Sequence, residues 1–214
     1  MPKSHRTAAA LLASALILAA LASAAPGAAG GVQLRLDEDE QALGRADAPL
    51  TMVEFTDYQC PYCRRFQAET FPRLKRVWVD TGKLRFIVRD LPLEIHSSAQ
   101  PAAVAAHCAA EQGKFWPMHA ALLAADADLS PEGLRRQARA LGLDLHRFAS
   151  CQVEGKYIAA IGRNAMQARE LGFDGTPAFV IGKAQNGVLR GQAVDGALPY
   201  EDFDAALRRQ LAAD

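Results

Sequence analysis

The sequence predicts an α/β fold in two halves, a βαβ unit and a ββα unit, interrupted by an all-helical insertion. Short runs rich in β-branched and aromatic residues occur at 51–56 and 84–89 and again at 177–182 and 188–196, whereas residues 96–171 carry helix signals and no convincing strand. The last two runs are joined by Asn186-Gly187, a strong hairpin signal. With 214 residues, half of them hydrophobic, the chain can bury a core of its own, as one domain with a substantial insertion.

The elements follow in order. A basic start with Lys3 and Arg6 precedes an uncharged Ala/Leu-rich run from Thr7 to Ala25, and Ala22 and Ala24 form an A-x-A cleavage pattern. Residues 1–24 are therefore expected to be a signal peptide cut near Ala24–Ala25, with an uncleaved anchor helix as the alternative. Export implies a periplasmic or otherwise extracytoplasmic setting, where disulfides persist. Residues 25–49 read as a tether and lead-in, with a surface acidic patch at Asp37 to Glu40 and a loop around Pro49. "TMVEFT" is mostly apolar, as a strand covered on both faces would be, and runs straight into "QCPYCRRF". Phe66, Thr70, Leu74 and Trp78 then recur at helical spacing, with Pro72 expected to kink or break that helix. Leu84 to Arg89 completes the βαβ unit of residues 50–95, which favours parallel pairing.

The insertion, 96–171, begins with "AQPAAVAAHCAAEQ", closed by Gly113, and continues with "FWPMHAALLAA", a helix that Pro117 threatens to break. Phe115 and Trp116 are assigned to its core. Ser130 before Pro131 is an N-cap with proline at the first helical position, Gly142 a C-terminal stop, Asp144 a further cap, and Gly172 the end of the last helix. In residues 172–214 two strands are followed by a helix placing Tyr200, Phe203, Leu207 and Leu211 on one face.

Charge excludes one class of partner: 24 basic side chains balance 24 acidic ones, and no basic stripe points to nucleic acid. The four cysteines split into a tight pair, Cys60 and Cys63, and a distant pair, Cys108 and Cys151. With Cys60 as N-cap, Pro61 takes N1, Tyr62 N2 and Cys63 N3. The Cys60 sulfur then faces free N–H groups at the positive end of the helix, which favours thiolate. Cys63, one turn on and facing inward, can close a disulfide or resolve a mixed one. Half a structural zinc site or an inert local disulfide would use the same spacing. Arg64 and Arg65 read as solvated charges. Glu54, six residues before Cys60, would exchange a proton with Cys63 if buried; an exposed strand carboxylate is the other reading. His96, His107 and His119 read as single histidines on helix surfaces and not as metal ligands, since neighbours such as His107 and Cys108 point about 100° apart. No metal and no cofactor is expected.

"EFTDYQCPYC", "CAAEQGKFW" and "GTPAFVIG" together resemble the DsbA-like thiol:disulfide oxidoreductases, enzymes with a thioredoxin-like fold carrying a helical insertion, over about Leu50 to Leu211. The resemblance implies Cys60 and Cys63 as the redox pair within a motif completed by Pro61 and Tyr62, and Glu54 as the buried acid. It implies Pro177 as a cis-proline facing the cysteines, with the Thr176 backbone binding an extended substrate. It further implies a Cys108–Cys151 structural disulfide, two free buried thiols being the alternative. The expected activity is disulfide formation in exported proteins, with a membrane redox partner resetting the pair. Tyr62 and Thr176 resemble choices seen in reductases and isomerases, which is the alternative within the class; a non-catalytic thiol-metal binder is the alternative outside it.

Overall fold

In the computed structural model the described residues are 31–38 and 40–213, with Met1; the expected signal peptide and the Gly/Ala-rich start of the tether lie outside them. Six strands form one sheet: β1 (Val32–Arg35), β2 (Gln41–Leu43), β3 (Leu50–Thr56), β4 (Leu84–Asp90), β5 (Ala178–Gln185) and β6 (Val188–Asp195), in the order β1-β6-β5-β3-β4-β2. Only β3 and β4 pair in parallel; the other neighbours are antiparallel. The tether and lead-in expectation is thereby corrected, because residues 32–35 and 41–43 are strands on opposite edges of the sheet. Both are short, and neither has the apolar run that marks a central strand. The acidic patch is at the surface at Asp37 and Glu38 but is corrected at Glu40, whose side chain is 5 % exposed and pairs with Arg89, itself 1 % exposed, whose guanidinium also reaches the Arg35 carbonyl and Gln167.

Every residue of β3 is buried, as its apolar composition requires. Alternation along a strand sorts its side chains by face. Val53 and Phe55 pack with Ile87, Val180, Ala165 and Phe173, while Leu50 and Met52 pack with Phe86, Val88, Phe179 and Ile181. Glu54, two residues after Met52, therefore projects into the second layer, the one that holds Cys63 and Phe66. By the same rule Asp90 on β4 shares that face with Val88, and the register sets Asp90 directly beside Thr56.

The helix after the cysteines is a continuous rod: α1 (Pro61–Arg65), a π-helical stretch (Phe66–Thr70), α2 (Phe71–Leu74) and a second π-helical stretch (Lys75–Val79). Pro72 does not break it. It falls in the first turn of α2, immediately after a stretch whose wider turns bond Phe71 N–H back to the Phe66 carbonyl, and this accommodates a residue with no N–H to give. Phe66, Thr70, Leu74 and Trp78 all face inward. Phe66 packs at a tilt against Phe179, ring centres 4.8 Å apart, and Phe203, 5.4 Å apart, so truncating it to alanine would cost about 3–5 kcal/mol.

Between β4 and β5 lie five helices, α3 (Ala99–Ala110), α4 (Phe115–Leu122), α5 (Pro131–Ala140), α6 (Leu145–Glu154) and α7 (Ile158–Glu170). Pro117 leaves α4 intact because it sits in the first turn, where no intrahelical N–H is required. Ser130 caps α5 by accepting from Gly133 N–H at 3.1 Å, and Asp144 caps α6 through His146 and Arg147. Cys108 on α3 is joined to Cys151 on α6. The terminal helix α8 (Tyr200–Ala212) buries Tyr200, Phe203 and Leu207, but Leu211, in its last turn, is 42 % exposed. The β5–β6 turn uses Asn186 and Gly187 at φ 52° and 72°, a conformation open to those two residues.

Candidate redox site

β3 ends at Thr56, and the next four residues turn the chain into α1. Asp57, 1 % exposed, builds that turn. Its Oδ1 accepts from Gln59 N–H at 2.7 Å and Cys60 N–H at 3.1 Å, and its Oδ2 from Leu93 N–H at 2.8 Å. His96 Nδ1 lies 2.9 Å from the same Oδ2. One carboxylate thus fixes the turn and ties it to the segment entering the insertion. Cys60 adopts extended backbone angles as N-cap, Pro61 starts the helix, and Arg64 N–H bonds the Cys60 carbonyl.

Both cysteines are free thiols. As a thiol Cys60 donates to the Thr176 carbonyl at 3.3 Å, a bond the thiolate gives up, and the Thr176–Pro177 peptide is cis. The Pro177 carbonyl is taken up by Gly196 N–H. The Cys63 thiol, donating to Cys60, pulls the Cys60 pKa down to about 5 against burial; the nearby Thr176 hydroxyl and the Cys63 and Tyr62 amides add to that pull. Cys63 moves the opposite way. Burial first, then its neighbour Cys60 and the charge of Glu54, hold it well above the usual thiol value, although Asp57 N–H donates to its sulfur at 3.4 Å.

Glu54 is fully buried, neither carboxylate oxygen has a hydrogen-bond partner among the described residues, and burial pushes its pKa up to about 8, the Thr56 hydroxyl opposing only in part. At neutral pH it is a protonated acid beside a thiol. Tyr62, like Pro61, is exposed, at 55 %, with the Arg65 guanidinium 5.1 Å from its ring centre. The arginines are not simply solvated: Arg64 Nε donates to the Tyr58 carbonyl at 3.3 Å and Arg65 to the Ala197 carbonyl at 3.2 Å.

The histidines differ most from the reading of the sequence. None of His96, His107 and His119 is a plain surface residue. His119 is 1 % exposed and bonds Tyr58 Oη through Nδ1 at 3.1 Å, His107 Nε2 lies 2.7 Å from Asp90 Oδ2, and His96 joins Asp57. The spacing held a signal for His119, since Phe115, Met118, His119 and Leu122 fall at the i, i+3, i+4, i+7 positions of one buried face. Asp57 was legible as an Asx-turn residue before a helix start. Asp90 and Tyr58 carry no local signal, because their burial depends on the insertion packing over the sheet. Among the described residues no three His, Cys, Asp or Glu side chains converge as metal ligands.

A family model described as Thioredoxin matches residues 36–209. The chain is similar to the crystal structure of α-DsbA1 from Wolbachia pipientis, with a TM-score of 0.73 and 23 % identity, covering 83 % of this chain and 94 % of that one. At 31 % identity it is similar to a thioredoxin-like oxidoreductase from Silicibacter pomeroyi, with a TM-score of 0.68 over 83 % of this chain and 95 % of that one. A curated relative, Na(+)/H(+) antiporter NhaA 3 of Salinispora tropica, is 37 % identical over 92 % of this chain, but the chain spans only 30 % of that protein's length.

Proposed function

The chain belongs to the thioredoxin family, and from that premise we propose that it is a DsbA-like thiol:disulfide oxidoreductase forming disulfides in exported proteins through its Cys-Pro-Tyr-Cys motif. The observation that carries this reading is the asymmetry of the pair: Cys60 is held as a thiolate at neutral pH and Cys63 as a thiol beside a protonated Glu54. In the oxidised enzyme a substrate thiolate attacks the Cys60 sulfur, the Cys60–Cys63 bond breaks, and Cys63 leaves with the electron pair and takes the proton of Glu54. A second substrate thiolate then attacks the substrate sulfur of the mixed disulfide, releasing Cys60 as the low-pKa leaving group. Thr176 and Pro177 present an edge beside Cys60 on which an extended substrate can lie as an added strand.

Export and the extracytoplasmic setting rest on the N-terminal leader, and a membrane redox partner would return the pair to the disulfide. Antiport is a property of the longer relative and is not proposed for this chain; among the described residues no helix is long and apolar enough to cross a membrane. Reduction or isomerisation is the second reading, favoured by Tyr62 and Thr176. Cys63→Ala should trap mixed disulfides between Cys60 and its substrates in an extract of exported proteins. An extract in which Cys63→Ala captures nothing beyond what Cys60→Ala/Cys63→Ala captures would overturn the exchange reading.

A further inference from the structure

A fully buried acid–thiol pair has a delivery problem. In each catalytic cycle Glu54 and Cys63 pass one proton between them, yet both are 0 % exposed, so the proton that Glu54 gives up must be replaced from water across a closed layer. The face of the sheet that carries Glu54 also carries Thr56 and Asp90, paired in register, and the helical insertion lays two histidines over it. His119 comes from α4 and bonds the Tyr58 hydroxyl, while His107 comes from α3 and bonds Asp90. Two further atoms are buried and unpaired among the described residues, His119 Nε2 and Asp90 Oδ1. Buried polar atoms are nearly always satisfied, and each exception calls for an account, a catalytic role among them. The outermost member, His107, has a side chain 15 % exposed and lines a cleft of about 470 Å³ together with Glu40, Glu111, Tyr157 and Arg163.

We propose that Tyr58, His119, Asp90 and His107 form a proton relay joining the buried Glu54–Cys63 pair to that cleft, so that the helical insertion supplies part of the redox chemistry as well as covering the sheet. The proposal rests on the oxidoreductase reading and deepens it. These are positioning and relay residues; none touches substrate. The groups facing the relay are Glu54 from β3, Asp57 from the turn, Cys63 and Arg64 from α1, Asp90 from β4, His107 from α3, Glu111 just beyond it, Tyr157 stacked on His107 at 4.9 Å, and Glu40 and Arg163 in the cleft. Asp57 is committed to three backbone amides and His96, Arg64 to the Tyr58 carbonyl, and Glu111 to Tyr157 and Lys156.

The charges agree with the geometry. Burial lowers His119 to about 4, so it is neutral: with the proton on Nε2 its Nδ1 accepts from Tyr58 and the path runs outward, and with the proton on Nδ1 it donates to Tyr58, Nε2 accepts from the Asp90 side and the path runs inward. Burial raises Tyr58 well above the ordinary phenol value, helped by Asp90, Glu54 and Cys63, so it stays protonated. Burial opposes charge on His107, but the Asp90 carboxylate outweighs it and moves His107 upward, suiting it to take a proton from water. In the oxidising direction Glu54 gives its proton to the leaving Cys63 thiolate and regains one from His107 through Asp90, His119 and Tyr58. The reverse exchange returns it by the same path.

The test is single-turnover resolution of a Cys60–glutathione mixed disulfide, followed from pH 5 to 9 in the full chain with Tyr58→Phe and His119→Gln. The relay predicts that Cys63 attack slows by roughly tenfold in either variant, a fraction of what direct acid–base catalysis supplies. It also predicts that the ultraviolet titration of the Cys60 thiolate stays where it was, which a general loosening of the site would not allow. Tyr58→Phe removes one oxygen and keeps the ring, so it carries the test alone if His119→Gln does not fold. Resolution within about twofold of wild type across the range, in Tyr58→Phe, overturns the relay and leaves the exchange reading standing. Wild-type protein that forms no glutathione adduct overturns both.

Discussion

The most direct consequence of the Cys60 environment is the way its redox potential should bend with pH. Reducing the disulfide adds two electrons and as many protons as the two sulfurs hold at that pH. Below a Cys60 pKa of about 5 both are thiols, and the potential should fall by about 59 mV per pH unit. Above it only Cys63, held well above the ordinary thiol range, keeps a proton, and the slope should halve to about 30 mV. At pH 7 the thiolate is favoured over the thiol by two decades, so the reduced form gains about 59 mV over a pair with unshifted sulfurs near 8.5. Equilibrating the protein in glutathione buffers from pH 4 to 8 and quantifying free thiols measures the slope, and ultraviolet absorbance of the thiolate locates the break independently. A slope of about 59 mV continuing through pH 7, with thiolate appearing only above pH 8, would refute the assignment of Cys60 as the stabilised sulfur.

Glu54→Gln should stabilise the reduced protein. A carboxyl whose folded pKa is raised from 4.5 to about 8 leaves stability intact below pH 4.5 and removes it as pH climbs toward 8, about 3 kcal/mol by pH 7. Urea unfolding at pH 4 and pH 7 should therefore show the variant's advantage at pH 7 alone, together with slower exchange. Replacing Cys108 and Cys151 by alanine opens a loop of sequence separation 43 and should cost up to about 4 kcal/mol, leaving the pH dependence of the Cys60 thiolate unchanged. Gly182→Ala would set a methyl group 1.9 Å from the Arg190 carbonyl and should split the β5–β6 pairing, seen as lost amide protection in both strands.

What the sequence reveals and what it hides divide along physical lines. The central strands, the caps at Ser130 and Asp144, the Asn186-Gly187 turn and the Cys60–Pro61 helix start were all legible, because each is a local preference that tertiary packing here reinforces. The edge strands β1 and β2 were not. They are pairings of short, polar segments with β6 and β4, and only the register makes them strands. Glu40 and Arg89, far apart in sequence, hid for the same reason. Their mutual burial needs both partners in place, and neither residue alone announces it. The histidines illustrate a third case. A histidine in a helix is neutral evidence until the opposite layer is known, and here that layer brings Asp90 and Tyr58 to meet His107 and His119.

The direction of electron flow can be argued one step further from the thiolate. A thioredoxin has a reactive cysteine near 7 and a potential of about −270 mV, and a strongly oxidising DsbA has one near 3.5 and about −120 mV. At pH 7 a Cys60 value of about 5 stabilises the reduced state by about 1.7 decades more than the thioredoxin value does, which is about 50 mV at roughly 30 mV per decade. The thiolate alone thus raises the pair by about 50 mV over a thioredoxin, about a third of the step that separates thioredoxin from the strongly oxidising DsbA. That intermediate position agrees with Tyr62 and Thr176, the two residues that resemble reductase and isomerase choices. A couple at such a potential can be run either way, so net oxidation requires a partner that keeps returning Cys60 and Cys63 to the disulfide. Kept reduced instead, the same pair would unmake disulfides. On the proposed reading the partner decides the flow, and the asymmetric pair built at the end of β3 decides only how readily each sulfur plays its part.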